Sequence, residues 1–311
     1  MSSVAELEQE IRDFINAPRR QHALLQDTAS WNCLCSSLDT IGDTGLAIAA
    51  YGPSAKANSE GAAYLLVYGI LQALFIQQDA VENMCKALQI DYVLDSSLKE
   101  VREIRNDSIG HPTKRGAGKG NAYNFISRSI LTTAGFNLMT TYPDSRPPLF
   151  RYIGIPTLIK TQSGILKRVL TEGIEKLKRE EAEHRAKFRD ERLQDVFPAA
   201  LGYFFQKIAE AIHRDKPREF GTAHINLVAE TVECFKGKLQ ERGILDAYDS
   251  VLYLLQLIDY PIAELSAYFG TTRDSSLNEK GAYIFAYFLE KQIEELRGIA
   301  EEIDRDYAAE P

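Results

Sequence analysis

The stretch Gly61–Ile76 constrains this chain more than any other. It is almost entirely apolar, with Gln72 as its one amide and Gly69 inside it. It is shorter than the roughly 20 residues that a membrane-crossing helix needs. The expectation is therefore a central helix buried in a core, with no membrane span, running on through Gln77, Gln78, Asp79, Val81 and Met84 to about Leu88. A chain of 311 residues is long enough for about two ordinary domains and for a core of that kind.

The flanking sequence predicts more helices. Val4–Ile15 is amphipathic and Pro18 ends it. Residues 23–51 are helix-rich, stopped by Gly52-Pro53. Ser97-Leu98-Lys99-Glu100 has the form of a capping box, in which serine and glutamate each satisfy an orphan backbone donor. The helix it opens carries Leu98, Val101 and Ile104 on one face. Gly110 ends it and Pro112 prevents resumption.

Beyond that point the character changes. Residues 113–121 hold three glycines with Lys114, Arg115 and Lys119 and no acid, which predicts a basic loop. Residues 125–131, 135–142 and 149–155 are β-branched and aromatic, interrupted by Pro143-Asp144-Ser145. They predict an antiparallel hairpin or three-stranded ribbon. Pro156 suits the first turn of a long helix, apolar early on (Leu158, Ile165, Val169, Leu170, Ile174, Leu177) and then almost wholly charged from Lys178 to Asp195. Such a charge run reads as a solvated face joining two parts of a molecule. Helices follow over 199–213, 225–242 and 244–269, the last broken at Pro261. Ser276-Leu277-Asn278-Glu279 repeats the capping pattern before a final helix. The expected fold is mainly α: a helical domain over 1–122, a small antiparallel β insertion over 123–156, and a second helical region over 157–311.

Composition excludes some functions. The net charge of −8 argues against indiscriminate binding of nucleic acid over the whole surface, while leaving room for a local basic patch. Cys33, Cys35, Cys85 and Cys234 lack scaffold spacing, which fits a reducing, cytoplasmic compartment. Residues 1–14 carry four acids and no apolar run, unlike a signal peptide.

The residues best suited to chemistry are Arg105 and His111. Six residues along an ideal helix put two side chains about 120° apart. On an unbroken helix they would not share a site, but Gly110 lets the chain turn and Pro112 fixes its exit. A guanidinium holds phosphate oxygens through paired hydrogen bonds and stabilises charge developing on them. An imidazole moves a proton near neutrality. Asn106 adds a neutral hydrogen-bonding group, and the chemistry requires no metal or other cofactor.

The run Arg105-Asn106 … Gly110-His111-Pro112 resembles the Arg-x(4–6)-His motif of the HEPN superfamily. The long helix before it, with Gln77-Gln78-Asp79, resembles the corresponding helix of many members. The resemblance covers roughly residues 1–130. It implies a helical bundle acting as a homodimer, with the arginines and histidines of both protomers in one cleft. It also implies metal-independent RNA cleavage by attack of a ribose 2′-hydroxyl on the adjacent phosphate. On this chain Arg105 would hold the phosphate, His111 would be general acid or base, Asn106 would orient them, and Asp79 would add a polar group. Lys114, Arg115 and Lys119 would contact RNA phosphates. Toxin–antitoxin or antiviral systems would be the setting, with an antitoxin or regulator as a protein partner. The alternative is a non-catalytic module of the same kind that binds RNA, a nucleotide or a protein.

Other constellations are weaker. Gly118-Lys119 is followed by Gly120, so the loop is no Walker motif. Cys33-x-Cys35 lacks a second ligand pair. His184 is expected to be solvated on the charged helix, with Glu180, Glu181 and Glu183 beside it. Tyr64, Tyr68 and Phe75 follow helical spacing and read as core positions.

Overall fold

A computed structural model of the chain describes residues 2–51, 56–115, 121–213, 217–270 and 275–309. The protein is 73 % helical with one small antiparallel sheet. It divides into two compact units: residues 1–16 with 24–177, and residues 17–23 with 178–311. The division falls deep inside a single helix, after residue 177 and not at the expected 157, so the β insertion belongs with the N-terminal helices.

The first unit opens with α1 (Val4–Ile15), whose capping box pairs Ser3 with Glu6. Next come α3 (Thr28–Tyr51) and α4 (Glu60–Ala87); α2 (Pro18–Leu25) lies between α1 and α3 in sequence, so Pro18 opens a helix as well as closing one. Ser59 caps α4 by accepting from the Ala62 amide. The expected buried helix is α4, which places Val67, Ile70, Leu71, Leu74, Val81 and Met84 in two cores. The first core joins α1, α3 and α4 to Leu166, Leu170 and Ile174 of α6 (Ile155–Phe188). The second joins α3 and α4 to Val101 and Ile104 of α5 (Ser96–Arg105) and to the sheet residues Phe136, Leu138 and Ile153. The cap of α5 is Asp95, whose carboxylate accepts from the Ser97 amide, two residues before the serine expected there.

The sheet is a meander of β1 (Tyr123–Thr132), β2 (Gly135–Thr141) and β3 (Leu149–Gly154). Ile126 pairs with Leu138, and Phe136 with Ile153, so these side chains share the face turned to the core. The alternate positions form the outer face: Phe125, Met139 and Phe150 in one cross-strand rank, Ser127, Asn137 and Tyr152 in the next. Tyr152 lies over Gly135, where any side chain would collide with its ring.

The second unit contains α7 (Leu201–Ile212), α8 (Arg218–Glu241), α9 (Asp249–Phe269) and α10 (Glu279–Ala308) around one large core. Asn278, not Ser276, caps α10. The break expected at Pro261 is absent: α9 runs through it, with Ile258 and Leu265 buried on either side. The charged part of α6 is not a bare solvated face either. Glu181 and Glu180 pair with Arg19 and Arg20 at 2.5 and 2.8 Å, and Phe188 is buried.

Candidate functional site: the end of α5

α5 does not stop cleanly at Arg105. Residues 106–110 form one π turn, closed by a 2.7 Å hydrogen bond from the His111 amide to the Asn106 carbonyl. Such turns accommodate an extra residue and recur at functional sites. His111 then leaves helical geometry at φ −137°, ψ 52°. The chain continues into an extended segment, where the Asn124 amide donates to the Pro112 carbonyl at 2.8 Å and Arg115 bridges Ala122. The start of β1 is thereby tied to the helix end.

Arg105 is part-buried and held by neutral groups. Its Nη2 and Nε donate to Gln72 Oε1 on α4 at 2.7 and 3.1 Å, and Nη1 donates to Asn106 Oδ1 at 3.0 Å. The guanidinium carbon stands 4.4 Å from the centre of the Phe75 ring. Among the described residues no carboxylate pairs with it. The guanidinium also lies along the π turn: a Cβ on Gly110 would stand 2.7 Å from Nη1 and 3.1 Å from Asn106 Oδ1. Arg105, Asn106 and Gly110 are therefore packed together, and His111 is the next residue. Its side chain is exposed and, among the described residues, has no hydrogen-bond partner.

The neighbouring cations are arranged differently. Arg102 forms an ion pair with Asp79 at 2.5 Å, donates to Gln78 at 2.8 Å and shares the Phe75 ring. Asp79 is thus engaged by Arg102, one turn before Arg105. Arg115 pairs with Glu103, and with Asp107 at 3.2 Å. Lys114 is exposed, and Lys119 lies outside the described residues. Asp107 also accepts from Asn124 at 3.3 Å; burial raises its carboxyl pKa above the ordinary value, with Arg115 opposing. Ser108 is buried in the turn, and its hydroxyl has no partner among the described residues.

Two residues of this site carried no signal of their own in sequence. Gln72 read only as a polar interruption of an apolar run, yet it is the principal acceptor for Arg105. Phe75 read as core, yet it forms the floor under two guanidinium groups. Tyr68 is likewise exposed, not buried. A lone amide within an apolar helix is the one clue that was available, since a polar group in such a place needs a partner.

The half-buried guanidinium of Arg105 is thus held by amides and a ring, and the exposed His111 follows in sequence the glycine packed against it. Fold and site define a mainly α protein with a β insertion and an arginine–histidine helix end. No protein-family model, curated protein or solved structure matches the chain.

Proposed function

We propose that the chain is a metal-independent endoribonuclease of the HEPN type, working as a cytoplasmic homodimer. The observation that carries this is Arg105: a part-buried cation fixed in position yet unneutralised by any carboxylate among the described residues. Desolvating a cation without an acid beside it is costly, and such costs are characteristic of sites kept for a ligand. A phosphodiester supplies the missing negative charge in the planar geometry that guanidinium recognises.

In the proposed reaction the ribose 2′-oxygen attacks the adjacent phosphorus while the bond to the 5′-oxygen breaks. The products end in a 2′,3′-cyclic phosphate and a 5′-hydroxyl. His111 takes the proton of the 2′-hydroxyl or gives one to the leaving oxygen. Arg105, oriented by Gln72 and Asn106, stabilises charge on the non-bridging oxygens. Asp79 holds Arg102 in place, and Lys114 offers an exposed contact to phosphate.

The homodimer is supported by α4. Its exposed side includes Leu65, at 75 % exposure, with Tyr68 and Ile76. At about 100° per residue, these three and Gln72 fall along one stripe. Only 39 % of the helix's most apolar 18 residues is buried. A second copy covering this stripe would approach the Gln72–Arg105 pair.

The test is cleavage of single-stranded RNA with EDTA present, by the wild type and by His111→Ala. The substitution is expected to lower the rate roughly 10²–10⁴-fold and, the residue being exposed, to change stability by less than about 0.5 kcal/mol. Equal rates would remove His111 from the reaction. Binding that depends on Arg105 without any cleavage would leave the non-catalytic module as the better reading.

A further inference from the structure

A cavity of about 320 Å³ opens in the first unit and shares no lining residue with the end of α5. Its volume is at the lower end of the range for small-molecule sites. One wall is α3, at Gly42, Gly45, Leu46 and Ala49; the other is α6, at Ile159, Ser163 and Lys167. Spacings of three and four residues put each set on one face of its helix, and the stretch of α6 makes a slot about 12 Å long. The first turn of α1 and Leu74 and Gln77 of α4 complete the lining. The glycines keep the slot open, since a Cβ on Gly42 or Gly45 would meet nothing within 4 Å.

The polar groups define the occupant. Gln77 is 3 % exposed, and Gln78 and Gln162 are fully buried. Their amides form a chain whose direction is fixed at both ends. The Arg102 guanidinium, which can only donate, gives its Nε hydrogen to Gln78 Oε1 at 2.8 Å. Gln78 Nε2 donates to Gln162 Oε1 at 2.7 Å. Gln162 Nε2 donates to the Leu74 carbonyl, which can only accept, and to Gln77 Oε1, both at 3.0 Å. No amide in this chain can turn over without setting donor against donor or acceptor against acceptor. Gln77 therefore presents its Nε2 hydrogens to the cavity, and among the described residues they have no acceptor. A buried donor in that state calls for an acceptor from outside.

One end of the slot is positive. Lys167 forms no ion pair among the described residues; Glu6, on which it acts at longer range, is engaged by the Ser3 amide at 2.6 Å. The Val4 and Ala5 amides are first-turn donors with no acceptor in the helix, and they carry the positive end of its dipole. The rest of the lining is apolar, where Ile48, Leu74 and Ile159 pack on the second core.

We infer that this cavity binds a small aliphatic carboxylate. Its chain lies between α3 and α6, and its oxygens accept from Gln77, Lys167 and the first turn of α1. The amide supplies the buried hydrogen bond, and the lysine and helix end supply the charge. Such binding is independent of any reaction at Arg105.

Isothermal titration calorimetry of the full chain with decanoate, below its micelle-forming concentration, tests this. Two temperatures are used, because burial of an apolar chain changes the heat capacity and so shows at one temperature if hidden at the other. Saturable binding of decanoate is expected, with decylammonium and acetate at least about tenfold weaker. Gly45→Leu puts a side chain into the slot, and leucine is the better helix former. It is expected to abolish binding while thermal stability stays equal or rises. Gln77→Met removes the donor at similar volume and Lys167→Gln removes the charge; each is expected to weaken decanoate binding about tenfold. Thermal melting checks that both variants fold. Lys167→Gln is expected to leave the affinity for decanol unchanged, which separates loss of charge from loss of shape. Decanoate binding that survives Gly45→Leu, or equal affinity for decylammonium, overturns the site. Absence of saturable heat at both temperatures overturns it too, and the slot then holds only water.

Discussion

Gly110 shows how narrowly the candidate site is built. Its backbone has ordinary negative φ, since Gly243 is the one described glycine with positive φ, so alanine is conformationally acceptable there and slightly preferred in a helix. What alanine lacks is space, because its methyl would meet Arg105 Nη1. The guanidinium is the movable end of a long side chain, so it would be displaced from Asn106 and Gln72. Gly110→Ala is expected to leave stability within about 1 kcal/mol while lowering RNA binding and cleavage at least about tenfold, the loss of one or more charged hydrogen bonds. Thermal melting and anisotropy check both halves; unchanged binding would show that the position of Arg105 is irrelevant. The pairing of Arg105 with Asn106 was legible because it is local, and so was the turn at Gly110-His111-Pro112. The grip of Gln72, 33 residues upstream, was not, because linear spacing says nothing of which face of α4 meets α5. Nor was the engagement of Asp79 by Arg102 and of Arg115 by Glu103, since acids and bases this dense admit several pairings.

Among the elements, α4 has two faces with opposite requirements. One fills both cores of the first unit, and the other leaves Leu65, Tyr68 and Ile76 in contact with water. Leu65→Glu combined with Ile76→Glu places charges on the second face without touching the first. Light scattering is expected to show a dimer of the wild type and a monomer of the variant, with helical content unchanged; a mass identical in both would rule out this stripe as the dimer contact. Periodicity made nearly every helix legible, and β-branched and aromatic content between turn residues made the three strands so, because both signals are spread over many residues. Element ends were less so. Asp95, Ser96 and Ser97 are all competent caps, and the choice of Asp95 depends on tertiary packing. Pro261 was expected to break α9, but the cost of one lost hydrogen bond, about 3 kcal/mol, is offset by the burial of apolar neighbours on both sides.

For the molecule as a whole, the second unit holds a titrating group that ordinary patterning concealed. His184 looked solvated on a charged helix, yet it is half-buried against Phe188 and Tyr307, with its Nε2 3.0 Å from the Tyr307 hydroxyl. Burial, first, and nearby cations lower its pKa from 6.5 to about 4. The folded chain therefore binds fewer protons than the unfolded one between those values. Its contribution to stability is full above pH 6.5 and is lost as pH falls toward 4. Chemical denaturation across that range is expected to show a declining midpoint, and a shallower decline in His184→Gln; identical slopes would assign the effect to carboxylates such as Glu181, whose pKa is lowered by Arg19 and Arg185 against the opposing effect of burial. The long charged helix pointed to two parts, and the chain divides after Leu177, inside α6, where no break in the backbone marks the place. The net charge of −8 carries a kinetic consequence for the proposed ribonuclease. On that reading a polyanion is repelled by most of the chain it meets, so its productive collisions are sorted by approach before any imidazole touches it. That sorting fades as added ions shorten the reach of the field.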